Sequence, residues 1–287
     1  MRHARRSTLQ ALLLIAVVLA GPVWADQANR PVDIHVPGAG VVQRLTVTDG
    51  SQLYGRVESI EIDAVLFRSV AGLLVTVQRD EIADLRIVRG HLVGSEFLPR
   101  DSHETRLMFA PTARSLRRGE GYVGVYYVLP FVQVGVTDRV SIGGGTPLVF
   151  GEGARPVWFT PKVQVLAREK VQAALGVIHI TGVEDLNAGI AYGVTTVGSE
   201  DKAATIGLGY AYSGDDRSAI VMVGGEGRQG RRIKWITENW FWGGGGNGFV
   251  SGGVRFLGER LTADLSLVVP LVEETIAFPV VSFSWSF

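Results

Sequence analysis

The chain has 287 residues, with 28 Lys+Arg against 28 Asp+Glu, a hydrophobic fraction of 46%, 37 glycines and no cysteine. The even charge balance gives no indication of a strongly basic face of the kind that binds nucleic acid. Without cysteine, stability must come from packing and backbone pairing rather than disulfides, and a lipid anchor on an N-terminal cysteine is excluded.

Residues 1–25 carry Arg2, Arg5 and Arg6, then an apolar run from Ala11 to Ala20, then Gly21-Pro22 and Val23-Trp24-Ala25. This is the pattern of a signal peptide, with the mature chain expected to begin at Asp26. The apolar core is too short for a spanning helix, which needs roughly 20 apolar residues. Removing the three leader arginines leaves 25 basic against 28 acidic residues, a net charge of −3. No later stretch is apolar for a helix-spanning length, so an exported apolar chain of this kind implies an all-β barrel.

Residues 26–40 (DQANRPVDIHVPGAG) read as an extended lead-in. From 41 to 90, short β-rich runs (QRLTVT, QLYGRVESI, AVLFRSV, LLVTVQ) alternate with turn signals at Asp49-Gly50, Ile62-Asp63 and Ala71-Gly72. They predict a small, strongly bent sheet closed on itself. The run DGSQLYGRVESIEIDAVLFRS, then Gly72 and TVQRDEIADLRIV, resembles the Sm-like small barrel. That resemblance implies a fold and, in many members, RNA binding. Residues 41–90 hold 6 Arg against 7 Asp+Glu and follow an export leader, so only the fold is carried over. A periplasmic packing or docking module is the reading adopted, since fold does not fix function. Residues 91–103 (HLVGSEFLPRDSH) read as a linker.

From 104 to 287, segments of about ten residues alternate apolar with small or polar side chains, the period of a wall between lipid and a lumen. In the last of them Ala277, Pro279, Val281, Phe283, Trp285 and Phe287 share one face, and Ser282, Ser284 and Ser286 the other. This pattern resembles the closing strand of bacterial outer-membrane β-barrel proteins. The resemblance implies an outer-membrane location, lipid as surroundings, and Phe283, Trp285 and Phe287 as the signal read by the barrel-assembly machinery. The preceding hairpin places Leu261, Ala263, Leu265, Leu267 and Val269 outward, and Arg255 and Asp264 inward. A two-residue Gly258-Glu259 turn sets Phe256 opposite Leu261, with Arg255 diagonal to Asp264.

Twelve strands are expected, near 105–112, 121–136, 139–149, 156–167, 170–181, 186–198, 202–213, 218–227, 231–242, 247–257, 260–269 and 276–287. Ten is the alternative if the first or the Gly143–Gly145 strand is misassigned. An even count puts both barrel ends on the periplasmic side, with the small module. Tyr126, Tyr127, Trp158, Tyr192, Tyr210, Tyr212, Trp235, Trp240, Phe241, Trp242 and Trp285 fall near strand ends, where an aromatic ring suits the membrane interface. Connections on the outer side are short, so a long inserted plug is not expected.

Catalytic chemistry lacks a base in the right setting. His3 lies in the leader, His35 and His91 in or beside linkers, and His103 before the first expected strand; His179 shares the outward parity of Leu175 and Val177. Without cysteine and without closely spaced histidines, no metal site or cofactor is expected. Gly143–Gly145 and Gly243–Gly246 lack the setting of a nucleotide loop. What remains are the lumen-facing Gln133, Lys162, Gln164, Lys234, Glu238, Arg255 and Asp264. Such groups either line a narrow aqueous path or lock the barrel through internal ion pairs. The first alternative implies a non-enzymatic narrow pore for small polar or amphipathic solutes. The second implies a structural barrel that anchors the periplasmic module to a periplasmic protein or the cell wall. Nucleic acid is not an expected partner.

Overall fold

The computed structural model describes residues 32–148, 155–183, 186–243, 247–272 and 276–287, which divide into two compact units, Met1–Val88 and Arg89–Phe287. The expected leader, residues 26–31 of the lead-in and the Gly-rich residues 244–246 lie outside them.

The first unit carries β1 (Val42–Val47), β2 (Gln52–Ile60), β3 (Ala64–Ser69), β4 (Leu74–Gln78) and, after a 3-10 turn at Arg79–Glu81, β5 (Ile82–Val88). They form an antiparallel sheet in the order β4-β3-β2-β1-β5. Leu45, Val57, Val65, Phe67, Val77, Ile82 and Leu85 bury one shared core, which follows from the period-two spacing of apolar residues in each strand. Gln43 is buried among them, and burying an amide is tolerated only when it is hydrogen-bonded. Its Nε2 donates to the His35 carbonyl at 3.1 Å, and its Oε1 accepts from the Val57 amide at 2.9 Å, beside a register irregularity between Val57 and Ser59. Gly55 sits where a Cβ would strike the Arg68 carbonyl and the Phe67 ring.

In the second unit a hairpin of β6 (Gly90–Val93) and β7 (Glu96–Pro99) occupies the stretch expected to be a linker. The wall then follows: β8 (Gly121–Tyr126), β9 (Leu129–Gly135), β10 (Val140–Gly145), β11 (Val157–Phe159), β12 (Lys162–Ala167), β13 (Val171–Val183), β14 (Leu186–Gly198), β15 (Lys202–Ser213), β16 (Asp216–Arg228), β17 (Ile233–Trp242), β18 (Asn247–Leu257), β19 (Leu261–Pro270) and β20 (Phe278–Ser286). β11 and β12 are one stave interrupted at Thr160-Pro161, because both pair with β10 and with β13. Neighbours in sequence are neighbours in the sheet, and β20 pairs with β8 to close it. The result is an antiparallel up-and-down barrel of twelve staves.

Side chains alternate along every long stave. In β15, Ile206, Leu208 and Tyr210 project outward, with Leu208 64% exposed, while Ala203 and Thr205 are buried inside. In β20, Phe283 and Trp285 lie outside and Ser282 and Ser284 inside. An apolar exterior around a small and polar interior inverts the arrangement of a soluble protein and defines a transmembrane barrel. Because the stave count is even, both chain ends of the barrel lie at one end, with the short turns 168–170, 199–201 and 258–260. The other end holds the tight turns 127–128 and 214–215 together with the longest connections, between β10 and β11 and between β19 and β20.

Three expectations are corrected. Residues 105–112 are not the first stave; they lie within the lumen, where a single isolated bridge joins Arg106 to Pro111. Twelve is reached instead because 121–136 is two strands, turning at Tyr127, whose φ is +50°. The β18–β19 hairpin turns at Glu259-Arg260, with Gly258 opposite Leu261, so Phe256 faces Ala263 and Arg255 stands directly opposite Asp264.

Gly55→Val forces a carbonyl and a ring apart. A loss of about 1–3 kcal/mol in the first unit is expected, read as faster amide hydrogen exchange in β2 and β3 with β13–β20 unchanged.

Candidate functional site

The lumen is filled by the protein's own residues 101–116, contrary to the expectation of no inserted plug. The segment that enters is not an outer connection; it precedes the first stave. Leu107, Met108, Ala110 and Ala113 of this segment pack on Ala174, Val194, Met222 and Ile236 of the wall. The small inward residues leave the room: a Cβ on Gly224 would meet the Leu107 side chain.

Polar contacts fix the segment in register. Arg255, fully buried, grips Asp264 with two bonds, Nε to Oδ1 at 2.7 Å and Nη2 to Oδ2 at 3.1 Å. Such paired geometry is the strong form of an arginine–carboxylate contact. The same guanidinium donates to Asp101 Oδ2 at 3.1 Å and to the His103 and Leu107 carbonyls at 3.1 and 2.6 Å. Lys234, also fully buried, joins Asp101 at 2.9 Å to Glu226 at 2.8 Å. Glu226 in turn takes Arg114 of the segment. Arg106 reaches back to Asp264 at 2.9 Å and to the Ser284 hydroxyl at 3.0 Å.

Glu238 closes the tip. One of its oxygens accepts the amides of Met108, Phe109 and Ala110, each at 2.9 Å, and the other accepts from the Trp240 indole at 2.7 Å. Successive backbone N–H groups aimed at one point form an anion nest, here filled by a wall carboxylate. Lys162 does the converse. Its ammonium donates to the carbonyls of Thr105, Thr112 and Arg114 at 3.1, 3.0 and 2.7 Å. Gln164 donates to the Ala113 carbonyl at 2.8 Å, and Thr196 accepts the Ala113 amide at 2.9 Å.

Of the lumen residues expected from sequence parity, Lys162, Gln164, Lys234, Glu238, Arg255 and Asp264 are thus all buried against the segment. Gln133 stands apart, half-buried and accepting from the Thr160 hydroxyl at 3.2 Å. Sequence reasoning missed their partners Asp101, Arg106, Arg114 and Glu226. Glu226 was legible by parity with Gly224 on β16; the others lie on irregular chain that no periodicity places.

His103 does meet a hydroxyl, its Nδ1 lying 2.9 Å from Thr262 Oγ1. Both residues are buried in the lumen, at 0% and 1% exposure. His179 faces outward beside the Tyr212 hydroxyl at 2.8 Å. Among the described residues no cluster of three or more His, Asp or Glu is placed to hold a metal ion. Tyr126, Trp158, Tyr192 and Trp240, expected at the membrane interface, turn inward and pack at the loop end of the lumen.

No protein-family model and no curated protein matches the chain. Among solved structures it is similar to a KdgM porin (6% identity, 58% of this chain and 98% of that one, TM-score 0.47). A KdgM porin in complex with disordered oligogalacturonate gives the same identity and coverage, with a TM-score of 0.46. A loop L8 deletion mutant of OmpT, an outer membrane protein of Vibrio cholerae, is 10% identical over 86% of this chain and 96% of its own, with a TM-score of 0.35.

Lys234→Met leaves Asp101 and Glu226 as buried carboxylates short of a cation, a loss of roughly 3–5 kcal/mol. Since the chain has no cysteine, Ala113→Cys supplies a reporter that is buried while the segment is docked. Maleimide labelling of that thiol is expected to accelerate at least about 100-fold when Lys234→Met is added. Adding Asp101→Asn and Glu226→Gln as well should restore part of the protection.

Proposed function

We propose that the protein is a non-enzymatic outer-membrane barrel, porin-like in architecture, whose resting state is closed and whose path for small polar or amphipathic solutes opens when residues 101–116 leave the lumen. The observation that carries this reading is the composition of the lock. Arg106, Arg114, Lys234 and Arg255 are paired with Asp101, Glu104, Glu226 and Asp264, all buried, while Lys162 and Glu238 grip the backbone of the segment. A lumen that had only to be filled could use apolar side chains, since well-packed apolar substitutes for buried ion pairs are often as stable or more so. Displaced into water, a charged segment and a charged wall are both readily solvated, so a polar seal can open where an apolar core would collapse.

Planar-bilayer recordings test this directly. The intact chain should show no steady conductance, and Lys234→Met should show frequent openings. Steady conductance from the intact chain would overturn the closed state. Silence from a correctly folded Lys234→Met barrel would overturn the gate.

That second result would leave the anchor reading, favoured by the separate five-stranded first unit. In it the barrel holds that unit, which the sequence likens to an Sm-like barrel, in the periplasm against a protein or the cell wall. Capture of a partner by full-length protein, lost on removing residues 41–90, is its signature.

Phe283, Trp285 and Phe287 are read as the assembly signal, projecting from the outer face of the closing edge. Phe287→Ala should reduce outer-membrane barrel yield in cells at least several-fold while refolding in detergent proceeds at its normal rate.

A further inference from the structure

Beyond the seal, at the loop end of the lumen, lies a cavity of about 350 Å³. Its position follows from its walls: Tyr126 ends β8, Leu129 begins β9, Gly144 is near the end of β10, and Trp158 is in β11. Phe109 and Pro111 of the inserted segment border it from within. Its volume falls in the range of small-molecule sites, roughly 300–1,000 Å³.

The cavity is held open by one device repeated three times. Phe131, Trp158 and Tyr192 each stand directly across from a glycine on the neighbouring stave: Gly124, Gly145 and Gly176. In each case a Cβ on the glycine would collide with the ring. The rings therefore lie back against the wall and line the space instead of filling it. Tyr126 stacks on Phe131 with centroids 4.7 Å apart, extending the aromatic surface, and Ile178 and Ile180 complete the apolar side.

The polar part of the lining has one sign. Arg106 and Lys162 contribute to it, and no carboxylate does. The Arg106 guanidinium carbon lies 5.5 Å from the Tyr126 ring centre and 5.4 Å from that of Phe131, and its Nε is buried without a hydrogen-bond partner. Lys162 is bound by backbone carbonyls and makes no ion pair among the described residues. A buried cation with no carboxylate in ion-pair contact is costly. A bound anion would relieve it. Gln133 and Thr160 stand beside these groups as further hydrogen-bonding partners.

We propose that this cavity binds an amphipathic monocarboxylate, with its carboxylate toward Arg106 and Lys162 and its apolar body between Phe131, Trp158 and Tyr192. This site does not require the gate, and its test is separate from conductance. Full-length protein in lipid nanodiscs is titrated calorimetrically with 2-naphthoate, decanoate and the neutral 2-naphthamide, with empty nanodiscs as the baseline. Saturable one-to-one binding is expected for 2-naphthoate, decanoate or both, at least tenfold tighter than for 2-naphthamide. Gly145→Val and Gly176→Val, which drive Trp158 and Tyr192 into the space, should each weaken it at least tenfold, with folding confirmed by heat-modifiable gel mobility. Carboxylate signals no larger than those of empty nanodiscs overturn the site, as does amide binding equal to carboxylate binding. So does full affinity in both folded glycine variants.

Discussion

The cross-strand pair of Arg255 with Asp264 is the contact on which the interior depends. A guanidinium and a carboxylate placed opposite each other inside a lipid-enclosed wall would be expensive if left to themselves, and two bonds between them do not exhaust either group. Arg255 has donors to spare, which Asp101 and the carbonyls of His103 and Leu107 take up. Asp264 has acceptor capacity to spare, which Arg106 and Ser282 take up. The wall thus presents donors and acceptors that a polar, irregular stretch of chain can satisfy. Residues 101–116 are that stretch of chain, and the packing of Leu107 and Met108 against Met222 and Ile236 fills what the charges leave.

Much of this was legible in the sequence, for a definite reason. Where one face meets lipid and the other does not, every second side chain reports its side, so β15, β17, β19 and β20 declared themselves residue by residue. The same parity placed Lys162, Lys234, Glu238, Arg255 and Asp264 inside. What parity cannot do is distinguish a strand from an irregular segment of similar composition. LMFAP, within residues 107–111, is apolar enough to pass for the start of a stave, yet its apolar side chains face a protein interior rather than lipid. The turn at Tyr127 was likewise hidden, because it lacks the glycine or asparagine that usually takes a positive φ. A count of twelve survived only because one false stave was balanced by one overlooked. The direct opposition of Arg255 and Asp264 depended on where the turn falls: centred on Glu259-Arg260 rather than Gly258-Glu259, it shifts the register by two residues and so leaves each side chain on its face.

The aromatic residues divide along a similar line. Trp235 and Trp285 project from the outer surface, while Trp158 and Tyr192 look much the same in sequence yet turn inward. Composition does not separate the two groups, and neither does the residue across the ladder: inward Trp158 and Tyr192 face Gly145 and Gly176, but outward Trp235 and Tyr212 face Gly227 and Gly189.

The inserted segment has almost no regular structure of its own. Its carbonyls are taken by Lys162, Gln164 and Arg255, and its amides by Glu238 and Thr196. Those groups come from staves β12, β14, β17 and β18, which converge on one lumen only once the sheet has curled. The segment therefore has no template until the wall exists, although it precedes every stave of that wall in the chain. Synthesis order and docking order are opposed here: residues 101–116 are made before every stave, and the site they occupy exists only once the staves have paired. Until then it must remain unpaired and soluble, a condition that its arginines and carboxylates meet and that a purely apolar filler would not.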